Sequence, residues 1–127
     1  MVLGFISAGL SLAGGIEANR RSKKQAKNAR LAGKINAEET RKEGRSVAGG
    51  ILAAASSSGL STASATNEAL ILESLSNAEF DAQMQVFQGN QRGSDLRAQG
   101  KAALREGITS AANTLQGQFQ SAAKAGQ

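Results

Sequence analysis

Seven cationic side chains lie within fifteen positions of this chain and could bind a polyanion. They are Arg20, Arg21, Lys23, Lys24, Lys27, Arg30 and Lys34. No acid occurs between Glu17 and Glu38, so the run itself contains no carboxylate. Each such charge contributes about 1 kcal/mol near an anionic lipid surface. Phosphate neutralisation would make DNA binding strongly dependent on salt. We predict a polyanion-binding segment, with a solvated helix face as the alternative.

The cationic run contains no aromatic residue. Stacking on nucleic-acid bases is therefore not available to it, and any contact with DNA or RNA would be made to the backbone alone. Such binding would be blind to nucleotide sequence.

Residues 1–16 carry no charge and hold eight of the chain's 27 Val, Ile, Leu, Met and Phe residues. A helix of that length spans about 24 Å, less than the ~30 Å of a bilayer's hydrocarbon core. A secretory signal peptide would carry its cations before the apolar stretch, not after it. Two interpretations stay open, a membrane-competent tip and a terminal helix buried between subunits. The residues concerned are Val2, Leu3, Phe5, Ile6, Leu10, Leu12 and Ile16.

Several kinds of catalytic chemistry are missing from the composition. The chain contains no Cys, His, Trp, Tyr or Pro. It therefore has no thiolate nucleophile, no disulfide and no ordinary zinc site, and it lacks the commonest general base near neutral pH. Its ten acids are scattered, and no glycine-rich phosphate loop is present. We expect no enzyme activity, no catalytic or metal-binding residue and no cofactor.

Charge and large apolar residues are unevenly distributed. Residues 1–50 hold ten cations and four acids, a net charge of +6, whereas residues 51–127 hold five cations and six acids, a net charge of −1. Between Glu17 and Gly50 the only large apolar residues are Leu31, Ile35 and Val47. Burial of three side chains does not offset the conformational entropy of so long a segment. We therefore expect the chain to be ordered by oligomerisation.

The elements that position these residues are predicted to be long helices. Proline is absent, alanine is abundant, and the period-two alternation of strands is missing. Consecutive serines before Gly59 favour a turn, and Ser61, Thr62, Ser64 and Thr66 are candidate N-caps. The prediction is an all-α fold, an extended, rod-like αα-hairpin. Its parts are an apolar tip at 1–16, a basic polar helix at 17–55, a turn at 56–61, a return arm at 62–122 with a soft point near 89–93, and a tail at 123–127.

The return arm carries apolar and glycine residues at helical spacing. Phe80, Met84 and Phe87 stand at i, i+4 and i+7, on one face of a helix. Gly93, Gly100 and Gly107 recur every seven residues, which favours close approach to a neighbouring subunit or marks glycines tolerated in a marginal helix. The predicted oligomer-packing residues are Leu72, Leu75, Phe80, Met84, Phe87, Gly93, Gly100, Leu104, Gly107, Ile108 and Leu115.

The order of these segments resembles that of the small internal virion proteins of short-tailed bacteriophages, also called inner core, ejection or DNA-transfer proteins. The positions that carry the resemblance are the turn Ser57–Gly59, AEFDA at Ala78–Ala82, GNQR at Gly89–Arg92 and LRAQ at Leu96–Gln99. They follow an arm rich in Ala, Gln, Lys and Arg. The resemblance covers most of the chain.

The resemblance implies a protein carried in the virion near the portal in many copies. On infection it would leave through the tail and help to form a conduit across the host envelope. Its implied partners are itself, as a ring-like homo-oligomer, and other virion proteins near the portal or tail, with the host membrane and non-specific DNA contact as further candidates. Two alternatives stay open: a static head–tail connector that remains in the particle, and a sequence-blind DNA-backbone-binding packaging protein.

Overall fold

The computed structural model describes residues 2–59 and 64–125, with side chains at residues 9–59 and 64–123. Two helices make up this part of the chain, α1 at Val2–Ser57 and α2 at Ala65–Ala125. No strand occurs within the described ranges. The predicted all-α helical hairpin is confirmed.

The helices are longer and less interrupted than the segmentation of the sequence suggests. The apolar start and the cationic run belong to one continuous helix, α1. Helix α2 passes through Gly89–Gly93, where a soft point is predicted, without a break. Proline is absent, so no residue lacks the N–H that a helix requires. Pairs such as Glu38 and Arg41, joined by a 2.8 Å hydrogen bond, add a few tenths of a kcal/mol each.

Helix α1 ends in the serine run predicted to form the turn. The hydroxyl of Ser56 donates to the carbonyl oxygen of Leu52 at 2.9 Å, and the hydroxyl of Ser58 donates to that of Ala54 at 2.9 Å. These bonds occupy carbonyl groups near the helix C-terminus. Gly59 then takes φ +70°, a conformation that costs glycine little because it has no Cβ.

Helix α2 begins with a serine cap. The Ser64 hydroxyl accepts a 3.4 Å hydrogen bond from the backbone N–H of Asn67, and the Glu68 N–H donates to the Ser64 carbonyl at 3.1 Å. Glu68 in the first turn faces the positive end of the helix dipole. Of the four candidate N-caps, the described part of the chain places Ser64 in this role. Ser61 and Thr62 lie outside the described residues.

Buried positions on each helix form a seam of small residues. On α1 they are Gly15, Ala26, Gly33, Ala37, Gly44, Ala48 and Ala55, and on α2 they are Ala82, Gly89, Gly93, Gly100 and Ala111. Successive seam positions on one helix are seven, four or eleven residues apart. Where steps of seven and four alternate, each pair of steps again adds up to eleven residues. Eleven residues complete three turns at about 3.67 residues per turn, close to the natural helical period. The seam therefore stays on one side of each helix.

The hairpin divides into two compact units. One unit comprises Met1–Asn28 and Gly93–Gln127. Within it, a Cβ placed on Gly107 would lie 2.9 Å from the carbonyl oxygen of Ser11 and 3.3 Å from the Cα of Gly15. Backbone therefore packs directly on backbone in this unit.

The other unit comprises Ala29–Arg92. A Cβ placed on Gly33 would lie 2.8 Å from the carbonyl oxygen of Gln85. Beside this seam the Gln85 side-chain Nε2 donates to the Thr40 hydroxyl at 2.8 Å. This hydrogen bond joins α2 to α1 and is compatible with only one alignment of the two helices along each other.

The described interior contains no large side chain. Its buried apolar residues are all alanines: Ala26, Ala37, Ala48, Ala55, Ala82 and Ala111. Alanine and glycine let two helix backbones approach closely, but they remove little apolar area from water. The larger apolar residues must therefore lie elsewhere on the helices.

Candidate functional site

The outer face of α2 in the unit Ala29–Arg92 carries three large apolar side chains. Phe80, Met84 and Phe87 are 64%, 41% and 61% exposed. Each of the three lies two residues from a seam position, Ala82 or Gly89. A separation of two residues corresponds to a rotation of about 200° around the axis of an α-helix. They therefore point away from α1. We call these three residues the α2 patch.

The outer face of α1 in the same unit carries a smaller apolar pair. Leu31 and Ile35 are 54% and 57% exposed. They precede the seam residues Gly33 and Ala37 by two positions each, so they point away from α2 by the same geometry. We call them the α1 patch. Leu31 and Ile35 are not among the interface residues predicted from the sequence. Their position two residues before the small residues Gly33 and Ala37 could have identified them.

The other predicted packing residues divide into two groups. Leu72, Leu75 and Ile108 are exposed. Leu104 and Leu115 are half-buried on the seam side of α2, at positions that continue its alternation of seven and four.

Two of the three predicted glycines, Gly100 and Gly107, approach α1 of the same chain closely. Gly93 and Gly100 are buried in the seam. A Cβ on Gly100 would lie 2.7 Å from the Cβ of Ser22, on α1 of the same chain. The neighbour that Gly100 and Gly107 accommodate is thus α1 itself. Their seven-residue spacing indicated a tight contact but could not distinguish an intramolecular helix from another subunit.

The seven cations of the predicted polyanion site all lie on α1. Arg20, Arg21, Lys23, Lys24, Lys27 and Lys34 are exposed. Arg30 is half-buried, and its Nε is buried without a hydrogen-bond partner. Arg20, Lys24 and Lys27 follow one face at i, i+4 and i+7. Arg21 forms an ion pair with Glu17 one turn earlier.

The strongest polar contact between the helices is one that sequence reasoning missed. The Nε and Nη2 of Arg41 donate to the two carboxylate oxygens of Glu79 at 2.7 and 2.9 Å. This bidentate bond, followed by one from Gln83, lowers the pKa of Glu79 to about 2. The same contact raises the pKa of Arg41 further above its usual value. No local pattern predicts the pair, because its residues are 38 positions apart.

The apolar tip is partly described. The side chains of Val2, Leu3, Phe5 and Ile6 lie outside the described residues. Leu10, Leu12 and Ile16 are exposed on α1. Neither helix, over the described residues, contains a stretch long and apolar enough to cross a bilayer.

The described surfaces of the two helices combine apolar, cationic and shallow concave features. Among residues 2–59 and 64–125 no three acidic side chains group in a way that could hold a metal ion. The exposed features are apolar patches, a cationic stretch and shallow grooves such as the one lined by Leu115, Phe119 and Ala123. Comparison of the chain with protein-family models, with curated proteins and with solved structures finds no match.

Proposed function

We propose that this chain is an oligomeric structural protein of a short-tailed bacteriophage particle, located near the portal or tail and acting in delivery of the genome across the host envelope. Its partners are copies of itself, in a ring-like oligomer, and other virion proteins. The proposed location is the virion and, after ejection, the host envelope. The chemistry asked of the chain is association and not catalysis.

The proposal rests mainly on where the apolar side chains lie: the small ones are buried between the helices, and large ones are exposed. The seam between the helices takes only small residues, whereas Phe80, Phe87 and Ile108 face outward. Contiguous exposed apolar surface marks sites of protein or membrane interaction. A structural protein that is ordered among copies and companions has a use for such surfaces.

Two further features support a role in delivery. The exposed cations of α1 suit phosphate groups, which both packaged DNA and membrane lipids present. The exposed side chains of Leu10, Leu12 and Ile16 suit an apolar environment at the membrane or against a companion protein. The resemblance to internal virion proteins joins these features in a single function.

The experiment is to locate the chain before and after genome release. Particles are treated with protease while intact and after triggered DNA release, and the chain is quantified by mass spectrometry in each fraction. The proposal requires the chain to be protected in the intact particle and depleted from the emptied one. A chain that stays bound to the emptied particle indicates the static connector instead. Its absence from intact particles rejects both roles.

A second measurement tests the membrane step separately. The full chain is added to vesicles of anionic phospholipid that enclose a self-quenching dye. We expect dye release, and a reduced rate for the variant Leu10→Ser/Ile16→Ser. The matched control is Phe119→Ser, which removes an exposed apolar side chain near the other end of the sequence. No release by the wild-type chain would remove membrane perturbation from the proposal.

A further inference from the structure

The contact between α1 and α2 in the unit Ala29–Arg92 repeats after eleven residues. A Cβ on Gly44 would meet Ala78, and a Cβ on Gly33 would meet Gly89. Gly33 lies eleven residues before Gly44 on α1, and Gly89 lies eleven residues after Ala78 on α2. The two helices are antiparallel and eleven residues complete about three turns, so a shift of eleven residues on both helices maps one contact onto the other.

The same shift maps the pair Arg41 and Glu79 onto Arg30 and Asn90. Arg41 donates from Nε and Nη2 to the Glu79 carboxylate at 2.7 and 2.9 Å. Arg30 has the corresponding place on α1, but the residue across from it is an amide and not a carboxylate. The Nε of Arg30 is buried and has no hydrogen-bond partner among the described residues. An unpaired buried donor on a charged group costs more than one on a neutral group, so an anion beside Arg30 would be stabilised.

A second cation stands beside Arg30. The groove that holds the Arg41–Glu79 bond is also lined by Arg45. Lys34 has the corresponding place eleven residues earlier, one turn after Arg30, and is exposed. The two grooves therefore share a pair of cations and differ in the residue that accepts from them.

The acids of the chain lie away from the groove at Arg30. Positions 18–37 of α1 and 82–94 of α2 contain no acid. Glu38 lies about two turns beyond Arg30 and is bonded to Arg41. Asp95 follows Asn90 by five residues, which turns it about 140° around α2. An anion in this groove therefore comes from another molecule.

We propose that Arg30, Lys34 and Asn90 bind a phosphate group. The guanidinium offers paired N–H donors, the ammonium adds a second positive charge, and the Asn90 amide adds a neutral N–H donor. A phosphate has oxygens for all three side chains, whereas a carboxylate has only two oxygens. The inference rests on the phosphate contacts of the proposed function and names one specific site for them.

The test follows the Nε–H resonances of the arginines in the full chain by ¹H–¹⁵N NMR. Inorganic phosphate is the probe and is added at constant ionic strength. We expect the Arg30 resonance, assigned with the variant Arg30→Lys, to shift and saturate. The Arg41 resonance should stay in place, because its Nε–H already donates to Glu79. No saturating shift at Arg30 overturns the proposal, and equal shifts at both arginines show an adventitious ion only.

The decisive variant is Asn90→Glu, which places a carboxylate across from Arg30 as Glu79 stands across from Arg41. We expect its Arg30 resonance to lie near that of Arg41 without phosphate and to show no further shift when phosphate is added. The matched control is Gln88→Glu, which adds the same charge to α2 at an exposed position turned about 200° from Asn90. It should keep the phosphate shift. Loss of the shift in both variants would show that net charge, and not this groove, governs binding.

Two further titrations identify the source of the phosphate. The variants bind a DNA duplex, followed by fluorescence anisotropy, and phosphatidylglycerol vesicles, followed by flotation. The source that the groove takes is the one whose affinity falls about tenfold or more in Asn90→Glu but not in Gln88→Glu. If neither affinity falls, the groove takes free phosphate and its link to the proposed function is overturned. A groove that binds no phosphate at all is compatible with a chain that leaves the particle, so the particle experiment decides the proposed function separately.

Discussion

Gly33 of α1 and Gly89 of α2 meet backbone to backbone. A Cβ on Gly33 would lie 3.0 Å from the Cα of Gly89, and a Cβ on Gly89 would lie 3.0 Å from the Cα of Gly33. Non-bonded carbon atoms at optimal separation are about 3.5–4.0 Å apart. A methyl group on either glycine would therefore be too close to the facing backbone, and only the hydrogen atom of a glycine fits there. The close approach explains why the interior holds no large side chain.

Replacement of Gly33 by alanine is expected to destabilise the hairpin. The added methyl group meets the carbonyl oxygen of Gln85 at 2.8 Å, a backbone atom that cannot rotate away. Overpacking of this kind costs about 1–3 kcal/mol, which offsets or exceeds the roughly 1 kcal/mol that alanine gains over glycine in a helix. The measurement is urea unfolding followed by circular dichroism at fixed protein concentration.

The control for that substitution is Gly49→Ala. Gly49 lies in α1 of the same unit, and a Cβ there would meet nothing within 4 Å. Only the helix propensity changes, so we expect stabilisation of up to about 1 kcal/mol. Equal stabilisation by Gly33→Ala and Gly49→Ala would contradict the close seam.

Gly44 and Ala78 should behave as a complementary pair. A Cβ on Gly44 would overlap the side chain of Ala78, so Gly44→Ala alone should destabilise the fold. The double variant Gly44→Ala/Ala78→Gly moves the methyl group from one helix to the other and removes the overlap. We expect a favourable interaction energy of about 0.5–3 kcal/mol in the double-mutant cycle. Strict additivity of the two substitutions would show that the residues do not touch.

The Arg41–Glu79 bond predicts a dependence of stability on acid. The bond lowers the pKa of Glu79 from 4.5 to about 2 in the folded chain. Its contribution is complete above pH 4.5 and is lost as the pH falls through about 2, because the unfolded chain takes up the proton first. Both side chains are partly exposed, so solvent screens the effect.

The variant Glu79→Gln tests that dependence in unfolding curves between pH 5 and pH 2. We expect a smaller loss of stability across this window than in the wild-type chain. Glu43→Gln, a substitution of an exposed acid on α1 of the same unit, should keep the wild-type loss. The interpretation would be wrong if the Glu79 variant lost stability with acid as steeply as the Glu43 variant.

Binding of the cationic run to phosphate predicts a salt dependence. For double-stranded DNA the slope of log K against log salt falls by about 0.9 for each phosphate contact that is lost. The variant Lys23→Gln/Lys24→Gln/Lys27→Gln should therefore show a distinctly shallower slope in a fluorescence-anisotropy titration. DNA of unrelated sequences should bind equally.

The control removes three exposed cations from α2 and so changes the net charge equally: Arg97→Gln/Lys101→Gln/Arg105→Gln. It should leave most of the salt dependence in place. A flat salt response of the wild-type chain, or the same reduction by both triple variants, would reject a polyanion site on α1.

Sequence reasoning recovered the elements because local chemistry decides them. The absence of proline allows helices of 56 and 61 residues, and the serines before Gly59 end the first helix where the turn is predicted. That Phe80, Met84 and Phe87 share one face of α2 also follows from local spacing. The recurrence of small residues every eleven positions is also present in the sequence, but the predicted packing residues include only three glycines beside eight large side chains.

Composition and spacing thus determined by themselves that the chain forms two long helices, where the first one ends, and which stretch of it is cationic. The tertiary structure decided which face of each helix is inside. That choice depends on the register between α1 and α2, which joins Gly33 to Gly89 and Arg41 to Glu79 across long stretches of sequence. A local sequence pattern cannot specify this register. The register depends on how closely the backbones of α1 and α2, which are far apart in the sequence, can approach each other. The smallest residues therefore form the buried interior of the described chain, and large side chains such as Phe80 and Phe87 stay exposed.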